Sequence, residues 1–417
     1  LEVVHRTVSS EAAAEEMQVQ VGSYDDLYNR EHKSLRVSLG SSGGAVVYGM
    51  SGSGKSEFVS RVLMECMQAY SPKQIQFYLA DADSGTLQAF ENAGHTAYLA
   101  MPGEYSQYEE MLEKVNAQIE ERRRLLQPFG GDRARYLASG QEMPLVLCVV
   151  HGSSGFFSGR NSDTLIEKLR DICRNGPKYG VCVLITAADS RSIHYSLSTL
   201  FRQVYVLKMA NDDEYDNLLG RTRGIRPMDG LGRGLIRTAR GTETAVYEFQ
   251  VDVPFAQADN PYQKLTEFVE QTSARWGVKS QVFRLPETIT LEMFDGFEPD
   301  WKAMPMALNA SDGTPVCWDF WYNRILQCSM PTSAAQLRGL VALAARQCTD
   351  GEVLVLDGAG FGAPLAANCT VARGSALSGA VRQLYTKFRE QTEHAVEVFQ
   401  RTGTVPYRTP FLAVLYD

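Results

Sequence analysis

Apolar runs and helical periodicities alternate along the first 255 or so residues of the chain. Short, nearly continuous apolar runs rich in β-branched and aromatic residues predict buried strands at residues 45–49, 75–80, 96–100, 144–150, 181–187 and 203–209. Apolar residues spaced three and four apart predict intervening helices at 54–69, 106–126, 162–174 and 212–219. This alternation is typical of an α/β fold, in which helices cover both faces of a mostly parallel sheet.

The pattern changes after this region. Runs at 232–238 and 244–253 predict an antiparallel hairpin, and residues 260–276 have helical spacing. Residues 286–305 combine Gly and Pro with a cluster of acidic residues, which indicates a linker. We therefore predict four segments: a lead-in at 1–18, a first module at 19–256, a helix and linker at 257–302, and a second module at 303–417.

The segment between the first buried strand and its helix carries the strongest chemical signal. It has the G-x-x-x-x-G-K-S pattern of a phosphate-binding loop: Gly49, Met50, Ser51, Gly52, Ser53, Gly54, Lys55 and Ser56. Glycines let successive backbone N–H groups surround phosphate oxygens, the lysine adds a positive charge, and the Ser56 hydroxyl can bind Mg²⁺. The sequence predicts an ATP site with Mg²⁺, and a Gly/Ser surface turn is the alternative.

The second module resembles a weaker copy of the first. Residues 304–308 correspond to 19–22, and residues 316–319 correspond to 35–37. The strand at 45–48 is matched by residues 324–327, and the final run at 411–417 matches 145–150. We predict tandem RecA-like modules, of which the second is incomplete; an unrelated α/β domain is the alternative.

The phosphate loop of the second copy has lost its functional residues. Cys328 and Ser333 stand in the positions of the two glycines, Ala334 replaces the lysine and Ala335 replaces the Mg²⁺-binding hydroxyl. Without the lysine charge, and with Cβ atoms in the loop, tight binding of a triphosphate is not expected there. The degenerate copy is predicted to keep the fold without the chemistry.

Hydrolysis in the first module is doubtful on the sequence. A phosphate-loop ATPase needs a second strand that ends in acidic residues, which order Mg²⁺ and the attacking water. The best candidate strand, at 145–150, ends in His151 and Gly152. His151 could itself act as a base, or Asp81 or Asp83 after the 75–80 strand could supply the carboxylate. These three residues are the candidate catalytic residues, and we expect the module to bind ATP better than it hydrolyses it.

Composition narrows the class of protein. The 41 basic and 49 acidic residues give a net charge of −8, so there is no strong sign of nucleic-acid binding. The eight cysteines are scattered without a C-x-x-C pair, which disfavours a zinc site or a disulfide framework and favours a reducing compartment. No apolar stretch approaches the roughly 18–20 residues that cross a bilayer.

Several motifs together resemble the FtsK/SpoIIIE group of RecA-like ATPases, most closely the tandem modules of type VII secretion coupling proteins of the EssC/EccC type. Residues 81–87 look like the D-x-K-G-G-x-L turn of the family, and residues 120–126 are similar to its E-x-x-R-R helix end. Residues 174–181 and 211–235 are similar to the segments that flank its later strands. The departures are the absent acidic pair at residues 151–152 and a sensor strand that ends Thr186-Ala187 where A-T-Q is usual.

The resemblance implies a role as well as a fold. The two modules look like the second and third ATPases of a membrane-anchored bacterial chain, of which this is a cytoplasmic portion. Their implied partners are the other modules of the same chain, further copies in a hexamer, and small helical secreted substrates recognised by C-terminal signals.

Two other functions stay open on the sequence. One is a DNA translocase motor of the same superfamily, and the other is a structural module that needs no nucleotide. A Gly-rich loop contains Arg221, Arg223 and Arg226, and the first two are the candidate arginine fingers for a neighbouring subunit; a solvated structural loop is the alternative.

Overall fold

The computed structural model divides the chain into two compact units, Leu1–Val282 and Phe283–Asp417, each described here by itself. The structure describes residues 17–26, 28–40, 44–240, 243–284, 288–297, 302–309, 313–319, 339, 342–343, 345–346, 352–357, 369–405 and 411–416. Among these residues, no helix combines the length and the apolar character needed to cross a membrane.

The first unit contains a sheet of ten strands and the helices that cover it. The strands are β1 (Gln18–Asp26), β2 (Glu31–Ser38), β3 (Ala45–Tyr48), β4 (Ile75–Asp81), β5 (Thr96–Ala100), β6 (Leu145–His151), β7 (Val181–Ala187), β8 (Gln203–Leu207), β9 (Arg233–Arg240) and β10 (Glu243–Val251). The helices are α1 (Lys55–Ala69), α2 (Tyr105–Leu126), α3 (Arg133–Ala138), α4 (Ser153–Phe156), α5 (Ser162–Asn175), α6 (Tyr195–Ser198), α7 (Asp213–Leu219) and α8 (Pro261–Trp276). Each strand and helix predicted for this region is present, with ends that differ by at most two residues.

The strand order is β2-β1-β10-β9-β8-β3-β7-β6-β4-β5. All pairs from β8 to β5 are parallel, and the four pairs on the β2 side are antiparallel. The predicted mostly parallel sheet is therefore confirmed, and β1 and β2 extend the same sheet at one edge. Because parallel strands present their carboxyl ends at one side of a sheet, the segments after β3, β4, β6 and β7 lie close together.

Two apolar clusters, one on each face, explain the unbroken apolar runs. Leu147 and Val149 of β6 belong to the cluster that includes α1 and α8, whereas Val146, Cys148 and Val150 belong to the cluster that includes α2 and α5. Successive side chains of a strand point to opposite faces, so a strand covered on both sides is apolar at every position. All of these strand residues are 0% exposed.

The second unit repeats parts of the first. Its strands are β11 (Met304–Leu308), β12 (Pro315–Trp318), β13 (Glu352–Asp357), β14 (Cys369–Arg373) and β15 (Phe411–Tyr416), and its long helix is α9 (Ala376–Thr402). The parallel order β14-β13-β15 matches β5-β4-β6, and α9 joins β14 to β15 as α2 joins β5 to β6.

A β-bulge strengthens this correspondence. The β1–β2 pairing shifts register between Gln20 and Gly22, and the β11–β12 pairing shifts between Pro305 and Ala307. A bulge inserts one residue into one strand and is a specific local feature. The segment that corresponds to the phosphate loop, Cys328 to Ala335, lies outside the described residues.

Arg122 shows that the basic end of α2 is partly structural. From the sequence alone, the three arginines at 122–124 are explained by the preference for cations at a helix C-terminus. Arg122 is only 5% exposed, however, and its guanidinium donates to the carbonyls of Tyr179 (2.8 Å), Gly180 (3.2 Å) and Pro144 (2.7 Å). It therefore joins α2 to the segments that lead into β6 and β7.

Replacing Arg122 should destabilise the first unit more than replacing its exposed neighbour Arg124. Arg122→Leu leaves several buried carbonyls without a donor, so we expect a loss of about 2–4 kcal/mol in the free energy of unfolding. Arg124→Leu should change it by less than about 0.5 kcal/mol. Urea unfolding followed by circular dichroism measures both, and equal effects would contradict a structural role for Arg122.

Candidate nucleotide site

The phosphate loop is attached to the centre of the sheet at its first two residues. The Gly49 N–H donates to the Ala187 carbonyl at the end of β7 (3.0 Å), and the Met50 N–H donates to the Lys208 carbonyl after β8 (2.9 Å). Since β3 lies between β7 and β8, both neighbouring strands fix the position at which the loop leaves the sheet.

The last two glycines of the loop adopt backbone conformations that other residues avoid. Gly52 has φ +74° and Gly54 has φ +108°, both in the left-handed region. Gly54 is also closely packed, because a Cβ atom there would lie 2.7 Å from the Gly232 nitrogen. The Gly232 N–H in turn donates to the Ser53 carbonyl (3.0 Å), so the loop is supported by the segment that enters β9.

Lys55 begins α1 and is largely buried, at 9% exposed. Its ammonium group donates to the carbonyls of Gly49 (2.9 Å) and Met50 (3.0 Å), so it lies within the loop. Burial lowers the pKa of Lys55, and the nearby carboxylate of Asp83 opposes that shift. A positive charge inside a loop at a helix N-terminus is an arrangement suited to a bound anion.

The loop also buries a hydroxyl group without a partner. The Ser53 side chain is 4% exposed, and its oxygen has no hydrogen-bond partner among the described residues. Because a buried polar group without a partner is costly, an anion that accepts a hydrogen bond would suit this position.

His151 ends β6 and connects the loop to β7. Its Nε2 lies 3.0 Å from the Ser56 hydroxyl and 3.4 Å from the Ser84 hydroxyl, and its Nδ1 lies 3.0 Å from the Thr186 hydroxyl. The imidazole is 0% exposed, and this burial lowers its pKa, against the smaller opposing effects of Asp81 and Asp83. Burial therefore favours the uncharged form of the ring.

The FtsK/SpoIIIE family model matches residues 5–248, more than half of the chain. The chain belongs to the FtsK/SpoIIIE family. It is 22% identical to the ESX secretion system protein YukB of Bacillus subtilis in an alignment 291 residues long that covers 66% of this chain. The chain spans only 18% of the length of YukB.

Two solved structures share the fold of this FtsK/SpoIIIE chain. EssC (ATPases 2 and 3) from Geobacillus thermodenitrificans has a TM-score of 0.67 at 16% identity, and the match covers 94% of this chain and 76% of that one. Thermomonospora curvata EccC (ATPases 2 and 3), in complex with a signal sequence peptide, has a TM-score of 0.61 at 18% identity and coverages of 98% and 76%. The predicted RecA-like fold and the resemblance to the EssC/EccC type are thus confirmed.

Of the two candidate carboxylates in this FtsK/SpoIIIE site, Asp81 is already engaged. It is fully buried, and its two oxygens accept the N–H groups of Asp83 (3.1 Å), Ser84 (3.1 Å) and Leu87 (2.9 Å). These bonds shape the turn after β4, which the sequence compares with the D-x-K-G-G-x-L motif. Asp81 thus lies beside the site and is held by three backbone N–H groups.

Asp83 is the exposed candidate. It packs against Gly152, where a Cβ atom would lie 2.6 Å from the Asp83 Cβ. Asp83 is therefore close to the end of β6. It follows β4 in the chain, however, whereas the usual acidic pair of the family follows the strand that corresponds to β6.

These residues match a Mg²⁺ site poorly. Mg²⁺ takes oxygen ligands in strict octahedral geometry, commonly with one or two carboxylates nearby. Here the Ser56 hydroxyl is hydrogen-bonded to an imidazole nitrogen, and both oxygens of the buried Asp81 bind backbone N–H groups. In the described part of the chain, no group of three or more His, Cys, Asp or Glu side chains is arranged to hold a metal ion.

The Gly-rich loop with the candidate arginine fingers lies next to the phosphate loop. It ends at Gly232, whose N–H donates to the Ser53 carbonyl of the phosphate loop. Arg221 and Arg223 are exposed, and neither side chain has an ion-pair partner among the described residues. Arg226 is held in place: it lies 3.5 Å from Asp212, donates to the Thr222 hydroxyl (2.9 Å) and covers the Tyr215 ring. The loop therefore leaves two arginines accessible to another molecule.

The sequence did not identify Thr186 and Ser84 as site residues. Thr186 accepts a hydrogen bond from the Gly152 N–H (2.8 Å) in addition to its contact with His151. The sequence feature that could have identified Thr186 is the unusual end of the sensor strand, which reads Thr-Ala where A-T-Q is usual.

Substitution of Gly54 should disrupt this FtsK/SpoIIIE loop more than substitution of Gly52. Both have positive φ, which costs a non-glycine residue about 1–2 kcal/mol, but only Gly54 contacts backbone, since nothing lies within 4 Å of the Gly52 Cβ position. We expect Gly54→Ala to lower the free energy of unfolding by about 2–4 kcal/mol and Gly52→Ala by about 1 kcal/mol. Urea unfolding measures the difference, and an equal or smaller effect at Gly54 would contradict the packing against Gly232.

Proposed function

We propose that the first unit binds ATP at residues 49–56 and hydrolyses it at no more than a background rate. One observation carries this proposal. The phosphate loop is intact, but the end of β6, where hydrolysis would require a carboxylate, has His151 instead. The loop supplies a buried lysine, left-handed glycines and a helix N-terminus for binding. Hydrolysis needs in addition a group that orients and deprotonates the attacking water.

Neither candidate acid supplies that group in our proposal. Asp81 is fully buried and holds the turn after β4, because its two oxygens accept three backbone N–H groups, and we therefore propose a structural role for it. Asp83 is exposed to solvent, and bulk water would compete there with an ordered attacking water molecule. His151 is occupied at both ring nitrogens by Ser56 and Thr186, so we propose a positioning role for it.

We propose one ATP site per chain. The replacements Cys328, Ser333, Ala334 and Ala335 remove the glycines, the lysine and the hydroxyl group from the second unit's loop. The lysine charge and the backbone N–H groups provide most of the attraction to a triphosphate. The second unit is therefore a candidate for protein recognition, in line with the signal sequence peptide in the related T. curvata EccC complex.

For the whole protein, we propose a coupling ATPase of a type VII secretion system. The similarity to YukB, named as an ESX secretion system protein, and to the EssC and EccC structures supports this role. In this proposal the chain is a cytoplasmic portion of a membrane-anchored bacterial protein, assembles as a hexamer in which Arg221 or Arg223 approaches the neighbouring ATP, and recognises small helical substrates by C-terminal signals. The net charge of −8 makes a DNA translocase the weaker candidate.

Calorimetric titration of ATP into the whole chain, in a buffer containing Mg²⁺, tests the proposed site. We expect one equivalent of ATP to bind, and Lys55→Ala to abolish binding because it removes the only charged side chain within the loop. Lys73→Ala, which removes a lysine that is 71% exposed, is the matched control and should bind as the unchanged chain does.

The same samples separate the alternatives. Two equivalents of bound ATP would show that the second unit also has a working site. Absence of any binding would favour a structural module. Unfolding of the same samples checks this result, because ATP bound at about 100 times its dissociation constant should raise the free energy of unfolding by about 2.7 kcal/mol. Phosphate release well above background that is lost in Lys55→Ala would mean that one of the candidate residues is catalytic.

A further inference from the structure

The hydrogen bond between His151 and Ser56 has consequences for the metal that normally accompanies ATP. In a phosphate loop, the hydroxyl at the Ser56 position is a direct ligand of Mg²⁺. Here its oxygen lies 3.0 Å from His151 Nε2, and the Ser84 hydroxyl lies 3.4 Å from both. Ser56 thus has a neighbouring imidazole where a Mg²⁺ site would have metal-bound water and a carboxylate.

The hydrogen-bond partners of Thr186 assign the tautomer of His151. Thr186 is fully buried, and its hydroxyl oxygen accepts the Gly152 N–H at 2.8 Å. Its own proton needs an acceptor, and His151 Nδ1, at 3.0 Å, provides one. With Nδ1 accepting, the ring proton is on Nε2, which therefore donates to the Ser56 oxygen.

This assignment changes what Ser56 offers to a ligand. One lone pair of its oxygen receives the Nε2 proton, while its own O–H can point to a phosphate oxygen of a nucleotide in the loop. The series of donors runs from Thr186 to His151, from His151 to Ser56, and from Ser56 to the phosphate. A metal ligand must instead direct a lone pair at the ion, so a Mg²⁺ bound to Ser56 would share that oxygen with the Nε2 proton, and the two positively polarised groups would repel each other.

The ring is also unable to move aside easily. His151 is 0% exposed at the end of the central strand β6, and both of its nitrogens are bonded to side chains of other elements. Mg²⁺ keeps several waters and requires oxygen atoms at about 2.0–2.1 Å in an octahedron. Placing that shell beside Ser56 would displace the Nε2–H from its 3.0 Å contact with Ser56 and leave it the longer contact with the Ser84 hydroxyl, at 3.4 Å.

We propose that this site binds ATP without Mg²⁺. In place of the ion, the Ser56 hydroxyl, held by His151, donates a hydrogen bond to the phosphate. The positive charge that the phosphate loop itself supplies then comes from Lys55 and the N-terminus of α1. This inference rests on the proposed ATP site, and it adds that ATP binding there does not require the divalent ion.

Titration of ATP into the whole chain in EDTA, and again in excess Mg²⁺, tests the proposal. We expect binding in EDTA to be at least as tight as in Mg²⁺. Binding that requires Mg²⁺ would overturn the inference and leave the proposed ATP site intact. Absence of binding in both buffers would instead refute the ATP site itself, so the two failures are distinguishable.

His151→Asp should convert the site to one that prefers the metal. A carboxylate can hold the water shell of Mg²⁺ but repels the phosphates of free ATP, so we expect Mg²⁺ to strengthen ATP binding at least about tenfold in this variant. His194→Asp, which adds the same charge at an exposed histidine, is the matched control and should show no such change. An unchanged metal dependence in folded His151→Asp would contradict the role of His151.

A second readout does not depend on the variant. Mn²⁺ resembles Mg²⁺ in its preference for oxygen ligands and has an electron paramagnetic resonance signal. With the unchanged chain and ATP, we expect the spectrum of free and ATP-bound Mn²⁺ without a protein-bound species. A protein-bound Mn²⁺–ATP signal that is lost in Lys55→Ala would overturn the proposal.

Discussion

The position of β3 between β7 and β8 is the constraint on which the site depends. This short, fully buried strand fixes where the phosphate loop begins, because Gly49 bonds to the last residue of β7 and Met50 bonds to the residue that follows β8. The same parallel arrangement brings the ends of β4, β6 and β7 to the loop, together with Asp81, His151 and Thr186. The core on both faces therefore determines which side chains can meet a ligand.

This chain has the residues that bind a nucleotide in an ATPase but differs at the position that serves hydrolysis. The proposed binding part consists of the positive-φ glycines of the loop and one buried lysine. The catalytic part requires a carboxylate at the end of β6, where the chain has a buried, neutral histidine bonded to two hydroxyl groups. Under the proposed function, the module responds to a nucleotide without consuming it, which suits a regulatory or structural part of a larger machine.

The sequence predicted the elements of the first unit well because each buried strand is a continuous apolar run and each helix has a clear period. It also predicted the phosphate loop, whose glycine spacing reflects backbone conformations. It could not predict the contacts of Asp81 and Arg122, because polar residues at a strand tip and a helix end look the same whether they are catalytic, solvated or buried. The bond between His151 and Ser56 joins residues 95 positions apart, and no local pattern reports such a contact.

The central claim is that an intact anion-binding loop operates beside a histidine that has taken the place of the metal site. The most direct test is a high-resolution crystal structure of the chain grown with ATP and Mn²⁺, with anomalous scattering recorded for manganese. The account predicts ATP in the loop of the first unit, the His151–Ser56 hydrogen bond preserved, and no manganese peak beside Ser56. Manganese bound between Ser56 and the phosphates, or ATP found only in the second unit, would contradict it.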